Sequence, residues 1–353
     1  MNKLLIIAGG TGGHIFPALV VAETLKKQGV LIEWLGTETG MEKKLVANRF
    51  PIYFLPVKAI RGKSFLTKIL SPFRLVRAIF LAHGMIKKIN PDCVLGMGGY
   101  ASGPGGIATW LLRKKLVIHE QNAKAGLTNR LLSHFATTVL QAFPNAFSKK
   151  VAAITVGNPV RESIFAIHHA DYYRAKNRAL RILILGGSQG ATAINKLMTQ
   201  WISYCENPES FLLWHQTGKK DFELTKKNYL HYTASIYRID SFIEKMDEAY
   251  RWADIVICRA GALTVSEIAA AELPGILIPY PYAADDHQFA NAQFLEHAAA
   301  AKLFRESILT THLLNDCLQN LLFSTEQLHL MSEKARICAQ PDATSKIIAE
   351  LSK

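Results

Sequence analysis

A chain of 353 residues is long for a single hydrophobic core and fits two domains of ordinary size. Its 49% apolar and 20% charged residues exclude intrinsic disorder, and no run of 18 apolar residues offers a membrane span. A formal net charge of +13 fits either an anionic counterpart, whether nucleic acid, a membrane surface or a phosphorylated substrate, or simply a protein of basic pI.

Apolar runs alternate with helical patterns along the whole chain. In the first half the expected strands are Lys3–Ala8, Leu31–Leu35, Ile52–Val57, Cys93–Met97, Leu116–His119, Thr137–Gln141 and Ile154–Val156. In the second they are Arg181–Leu185, Phe211–Gln216, Ile236–Ile239, Ile255–Cys258, Gly275–Pro279 and Ala301–Phe304. This is the βαβ rhythm of doubly wound parallel sheets, an α/β class. The domain boundary is expected near Gly157-Asn158-Pro159, with Arg161 to Arg178 as a polar connector. The expected division is 1–160 plus a C-terminal helix at 342–353, against 161–341. Met1 to Ala8 is too short for a signal-peptide core. Cys93, Cys205, Cys258, Cys317 and Cys338 form no C-x-x-C pair, which points to a reducing compartment and no metal site.

The first strand runs into Gly9-Gly10-Thr11-Gly12-Gly13-His14, and Arg181–Leu185 runs into Gly186-Gly187-Ser188-Gln189-Gly190-Ala191. A strand, a glycine turn and a helix start make an anion cradle from free N–H groups and the helix dipole. Neither loop is a dinucleotide fingerprint: Ile15 stands where the last glycine of the first would be, and Ser188 breaks the second. Arg61-Gly62-Lys63-Ser64 is no P-loop, because Val57 replaces the upstream glycine. His14 falls at a helix start, where it either packs or, as a neutral imidazole, serves as a general base.

Ser71-Pro72 reads as a helix start, with Leu75, Ala78, Ile79, Ala82 and Ile86 as its core stripe. Phe73, Val76 and Phe80 fall largely off that stripe near Lys63, Lys68, Arg74 and Arg77, which reads either as a helix packed on two sides or as an apolar patch with a basic rim that rests on anionic lipid. Gly96 to Gly106 is a third glycine-rich turn that lets a ligand approach the backbone. At Gly261-Ala262-Leu263-Thr264-Val265-Ser266-Glu267 another helix starts, with Thr264 or Ser266 as cap. Glu267 is expected in its first turn, either complementing the dipole or accepting from two ribose hydroxyls. Asp285-Asp286-His287-Gln288 has the look of a metal or acid–base cluster, yet the chain contains no D-x-D for a metal-bridged diphosphate. The basic residues build no helix-turn-helix, zinc-finger or RNA-binding motif, so nucleic acid is not expected as a partner.

These motifs, with His119-Glu120-Gln121-Asn122 and Gly157-Asn158-Pro159-Val160-Arg161, occur in an order that closely resembles the bacterial peptidoglycan N-acetylglucosaminyltransferases. The resemblance covers nearly the whole chain. It implies a GT-B fold of two Rossmann-like domains across a cleft. It also implies transfer of N-acetylglucosamine from UDP-N-acetylglucosamine to lipid I, with inversion and with neither metal nor cofactor. The enzyme would sit peripherally on the cytoplasmic face of the anionic inner membrane, with cell-wall synthesis proteins as partners. A GT-B enzyme for another glycolipid is the alternative.

Residue by residue, His14 matches the base for the acceptor C4 hydroxyl. Thr11, Gly12, Gly13, Asn122, Arg161, Ser188, Ile243, Ala262, Leu263, Thr264, Val265, Ser266, Glu267, Gln288 and Asn291 match donor contacts. Within that set Glu267 falls on the ribose, Ile243 on the uracil and Gln288 with Asn291 on the sugar. Gly98, Gly99, Tyr100, Ser102 and Gly103 match the acceptor diphosphate cradle, and Ile69, Phe73, Val76 and Ile79 the membrane patch. Two positions depart from the family: Glu272 replaces a common glycine, and Ala123-Lys124 follow Asn122 where a glycine is common first.

Overall fold

The computed structural model describes residues 1–57, 71–168, 178–187 and 190–353. The chain divides into two compact units, Met1–Pro159 with Asp342–Lys353, and Val160–Pro341.

In the first unit β1 (Lys3–Ala8), α1 (Gly12–Lys27), β2 (Leu31–Thr37), α2 (Glu42–Leu45) and β3 (Ile52–Leu55) come first. They are followed by α3 (Ser71–Ile89), β4 (Cys93–Gly98), α4 (Ser102–Leu111), β5 (Lys115–Glu120), α5 (Leu127–Leu132), β6 (Thr138–Gln141) and β7 (Ala153–Thr155). The strands form a parallel sheet in the order β3-β2-β1-β4-β5-β6-β7. Strand β1 is almost wholly apolar because both its faces are covered: Leu4 and Ile6 pack into one core cluster, Leu5 and Ile7 into the other.

The second unit contains α6 (Glu162–Phe165), β8 (Leu180–Leu185), α7 (Thr192–Tyr204), β9 (Phe211–Gln216), α8 (Phe222–Asn228) and β10 (Ile236–Asp240). After these come α9 (Met246–Trp252), β11 (Ile255–Cys258), α10 (Ala262–Ala270), β12 (Gly275–Leu277), α11 (His287–His297), β13 (Ala301–Leu303), α12 (Thr311–Leu322) and α13 (Thr325–Cys338). Its sheet is parallel in the order β10-β9-β8-β11-β12-β13. Arg178 clamps Asp254 through two hydrogen bonds of 2.6 and 2.5 Å, and Arg181 N donates to the same carboxylate, tying the start of β8 to that of β11.

The last helix, α14 (Ala343–Ser352), returns to the first unit, where Ile347 and Leu351 join the core around α1. Lys115 Nζ donates to the carbonyls of Glu350 (2.9 Å) and Leu351 (3.0 Å), placing a cation at the negative end of that helix.

Each expected strand is present, with ends displaced by no more than two residues. Pro56 explains one such end: it has no N–H to continue the β3 ladder. The stripe expected along α3 needs correction. Ala78, Ala82 and Ile86 are buried, together with Ile89, but Leu75 is 41% exposed and Ile79 only partly covered. Residues 72–77 are all exposed, and the buried stripe begins at Ala78. Lys63, Lys68 and Ile69 lie outside the described residues, as does the connector from 169 to 177. Among the described residues no helix is long and apolar enough to cross a membrane.

Candidate active site

In both sheets the strand order reverses beside the first strand, between β1 and β4 and between β8 and β11. Loops leaving the carboxyl ends at such a switch point splay apart and leave room for a ligand. The motifs occupy these positions: the first glycine loop follows β1, the Gly98-Gly99 turn ends β4, the second glycine loop follows β8, and Gly261 follows β11.

In the first unit Thr11 is the N-cap of α1, and its side chain makes no capping bond. Glu42, fully buried, anchors this loop: its carboxylate accepts from Gly10 N at 3.0 Å and from both N and Oγ1 of Thr37 at 2.6 Å. Gly98 and Gly99 have φ of +98° and +87°, which glycine alone adopts without strain. A Cβ on Gly98 would stand 2.7 Å from His14 Nδ1, and one on Gly99 would collide with the Gly9 carbonyl. The two glycine turns therefore meet backbone to backbone, with the His14 ring lying against Gly98.

His14 is half-buried, and its Nδ1 lies 2.9 Å from Gln121 Oε1. Gln121 Nε2 lies 3.1 Å from His119 Nδ1 and also donates to the His119 carbonyl at 3.1 Å. His119 Nε2 reaches the carbonyl of Gly157 at 2.9 Å. Burial lowers the His119 pKa to about 4, so its ring is neutral at ordinary pH. Next to it, the buried Glu120 carboxylate organises the loop after β5: Oε1 accepts from N and Nδ2 of Asn122, both at 3.0 Å. Its Oε2 accepts from Gly126 N (3.1 Å) and Asn129 Nδ2 (2.8 Å). Tyr100 is 52% exposed, whereas Ser102 is buried and donates to the carbonyls of Gly98 (2.7 Å) and Ile7 (3.2 Å). Gly103 lies in the first turn of α4.

In the second unit Gly186, Gly187 and Gly190 turn β8 into α7. Gly190 has φ +78°, and a Cβ there would stand 2.7 Å from the Thr217 carbonyl. Ser188 lies outside the described residues. The N-cap of α10 is Gly261, and no side chain caps it. This corrects the expectation for Thr264 and Ser266: Thr264 is a third-position residue, and Ser266 Oγ bonds back to the Ala262 carbonyl at 3.0 Å. Glu267 consequently lies in the second turn, not the first. It is buried, with Oε2 accepting from Tyr250 Oη at 3.0 Å and Oε1 facing Arg161 Nη2 at 3.4 Å. Burial raises its pKa, and Arg161 opposes the rise. Burial also holds the Tyr250 phenol well above its ordinary value, so it stays a donor to Glu267.

Ala262, Val265 and Ile243 are buried, while Leu263 is partly exposed. Gln288 Oε1 accepts from Tyr280 N at 2.9 Å, and the fully buried Asn291 donates to the Ala260 carbonyl at 3.1 Å. Asp285 and Asp286 have consecutive φ of +54° and +55°. Asp286 pairs with Arg305 at 3.0 Å, and among the described residues no three His, Cys, Asp or Glu side chains group as metal ligands.

Glu42, Glu120, Gln121 and Tyr250 were not singled out for a role by the residue pattern. The available signal was polarity at buried strand ends, strongest in the His119–Asn122 tetrapeptide.

Two parallel sheets with glycine loops at their switch points have the GT-B architecture, and comparison with known proteins places the chain among the glycosyltransferases. The pattern of the glycosyltransferase family 28 N-terminal domain matches residues 4–141, and that of the family 28 C-terminal domain matches residues 181–347. The chain is 48% identical to a UDP-N-acetylglucosamine--N-acetylmuramyl-(pentapeptide) pyrophosphoryl-undecaprenol N-acetylglucosamine transferase of Coxiella burnetii, over 100% of this chain and 99% of the relative. It is 47% identical to a Shewanella amazonensis protein of the same name, over 98% of this chain and 96% of that one. The crystal structure of Acinetobacter baumannii MurG superposes with a TM-score of 0.85 at 39% identity, covering 100% of this chain and 99% of that one. The chain belongs to glycosyltransferase family 28.

Proposed function

We propose that this protein transfers N-acetylglucosamine from UDP-N-acetylglucosamine to the C4 hydroxyl of undecaprenyl-diphosphoryl-N-acetylmuramoyl-pentapeptide. The observation that carries this reading is the 48% identity, over the full chain, to transferases named for that reaction. The site geometry supplies matching chemistry. His14 takes the proton of the C4 hydroxyl as its oxygen bonds to the anomeric carbon; the bond from that carbon to the UDP oxygen breaks, and UDP leaves as the anion. One displacement inverts the anomeric centre. General-base assistance contributes roughly 10²–10⁴ in rate.

On the donor side, the first turn of α10 around Thr264 meets the diphosphate, where N–H groups and helix dipole stabilise the growing charge, and Ser188 is a further diphosphate contact by its match to the family. Arg161 adds a cation, and Glu267, held by Tyr250, accepts from the ribose hydroxyls. Gln288 and Asn291 complete the sugar side. The Gly98–Gly103 turn takes the lipid diphosphate. The exposed Phe73 (75%), Val76 (51%) and Phe80 (73%), with Arg74 and Arg77 on the same helix, form a surface that rests on anionic lipid at the cytoplasmic face of the membrane.

The test is UDP release from UDP-N-acetylglucosamine by the purified chain, with and without a short-chain lipid I analogue. Analogue-dependent release with a disaccharide product is the expected result. Donor binding without such release would reassign the acceptor to another glycolipid, and no donor binding would overturn the transferase reading.

A further inference from the structure

The hydrogen bonds that end on His14 fix where its proton sits, and they do so from one backbone carbonyl. A carbonyl oxygen only accepts, so the 2.9 Å contact from His119 Nε2 to the Gly157 carbonyl requires the proton on Nε2. His119 is fully buried and neutral, so its Nδ1 then carries a lone pair and must face a donor. The donor is Gln121 Nε2 at 3.1 Å, and that same nitrogen finds a second acceptor in the His119 carbonyl. The amide orientation of Gln121 is thereby settled, and Oε1 is the atom turned to His14 Nδ1 at 2.9 Å. An amide oxygen only accepts, so His14 Nδ1 bears hydrogen, and in the neutral ring Nε2 bears the lone pair.

We infer that His119 and Gln121 are positioning residues, forming with the Gly157 carbonyl a relay that holds His14 in the tautomer whose Nε2 can accept a proton from the acceptor hydroxyl. The inference rests on His14 being the base, as proposed above. The relay is rigid by construction. Gln121 is 1% exposed and its own carbonyl accepts from Asn158 Nδ2 at 3.0 Å. Gly157 has φ +88°, the left-handed backbone that presents its carbonyl to His119. Gly98 closes the side of the His14 ring. Free imidazoles exchange tautomers readily, and a base in the wrong tautomer offers an N–H to the hydroxyl it should deprotonate.

The test reads the proton directly. The full chain, with ¹⁵N-labelled histidine and no substrates, gives long-range ¹H–¹⁵N correlations in which a protonated and a lone-pair ring nitrogen differ widely in shift. The His14 pattern is assigned by its loss in His14→Ala. The expected result is a lone-pair Nε2 and protonated Nδ1 at His14, with the reverse arrangement at His119. In Gln121→Met, which has nearly the same volume, His14 is expected to become a tautomer mixture. The variant's kcat is expected to fall roughly tenfold or more, within the ~10²–10⁴ a general base supplies, with KM for UDP-N-acetylglucosamine unchanged. A neutral His14 ring with its hydrogen on Nε2 and a lone pair on Nδ1 in the wild-type spectrum overturns the relay, as does an unchanged kcat in Gln121→Met. The wild-type spectrum decides even if the variant does not fold. Since it needs no acceptor, a failed transfer assay overturns the function while leaving the proton placement to be decided by the spectrum.

Discussion

Among the described residues each unit buries one histidine completely, His119 and His215, and the two lead to different ends. In the first unit His119 passes through Gln121 to the half-buried imidazole of His14, at the third position of α1. In the second, His215 donates through Nε2 to Asn195 Oδ1 (2.9 Å) and accepts at Nδ1 from Tyr229 Oη (2.9 Å). Asn195 Nδ2 then donates to the Thr217 carbonyl and to Asp221 Oδ2, which accepts from the Thr192 hydroxyl at 2.6 Å at the start of α7. The strand–loop–helix frame is the same in both. One chain of hydrogen bonds ends on a group that can take a proton; the other ends on a hydroxyl and serves only to hold a loop and helix start. The same frame thus carries two different hydrogen-bonded chains, and the side chain at the helix start sets what each ends on.

The comparison breaks most severely where the first unit's two glycine turns touch. Gly99→Ala places a Cβ against the Gly9 carbonyl at φ +87°; strain and overpacking together are expected to cost roughly 3 kcal/mol or more. Gly10→Ala, at φ +94° with open space around it, is expected to cost only about 1–2 kcal/mol. Denaturant unfolding of both variants checks this, and equal losses would mean that the turns do not meet so closely.

Acid sharpens the comparison next. Burial lowers His119 to about 4 and His215 to about 3, each from 6.5. Below pH 6.5 the unfolded chain takes up protons that the folded chain refuses, so stability present above pH 6.5 is lost as pH falls. Each histidine is expected to contribute a loss on the order of 2 kcal/mol between pH 6.5 and 5. His215→Gln should flatten the pH dependence of unfolding of the second unit while leaving that of the first; an unchanged slope would mean that His215 protonates in the folded state.

The smallest effect is expected at Glu272, whose φ is +55°. Its carboxylate pairs with His168 at 3.1 Å and its carbonyl accepts from Ser332 at 2.6 Å. Glu272→Gly relieves a left-handed backbone worth about 1–2 kcal/mol and forfeits a largely exposed partner, so its thermal midpoint should stay level or rise slightly. A marked fall would show the His168 contact to be the stronger term.

The strands and glycine loops were legible in the sequence because a strand buried on both faces reads as an unbroken apolar run, and a tight turn reads as glycine. Leu75 was misread because helical periodicity cannot tell how far along a helix the core extends. Glu267 was placed a turn early because the helix begins at Gly261 without a side-chain cap. Even Glu272 carried a signal, since the family's common glycine marks a left-handed position. The relay was not legible: Gln121 lies 107 residues from His14, and no local pattern announces a hydrogen bond across that distance. Glu42, 32 residues from the Gly10 amide it holds, was hidden for the same reason.

The central claim is that the first unit activates the acceptor and the second holds the donor. It is tested most directly by measuring UDP-N-acetylglucosamine affinity and transfer rate side by side in His14→Ala and Glu267→Ala. His14→Ala should bind the donor as the wild type does and transfer roughly 10² or more times slower. Glu267→Ala should bind roughly tenfold or more weakly, the scale of lost charge-assisted hydrogen bonds. Donor affinity lost in His14→Ala and kept in Glu267→Ala would contradict the account.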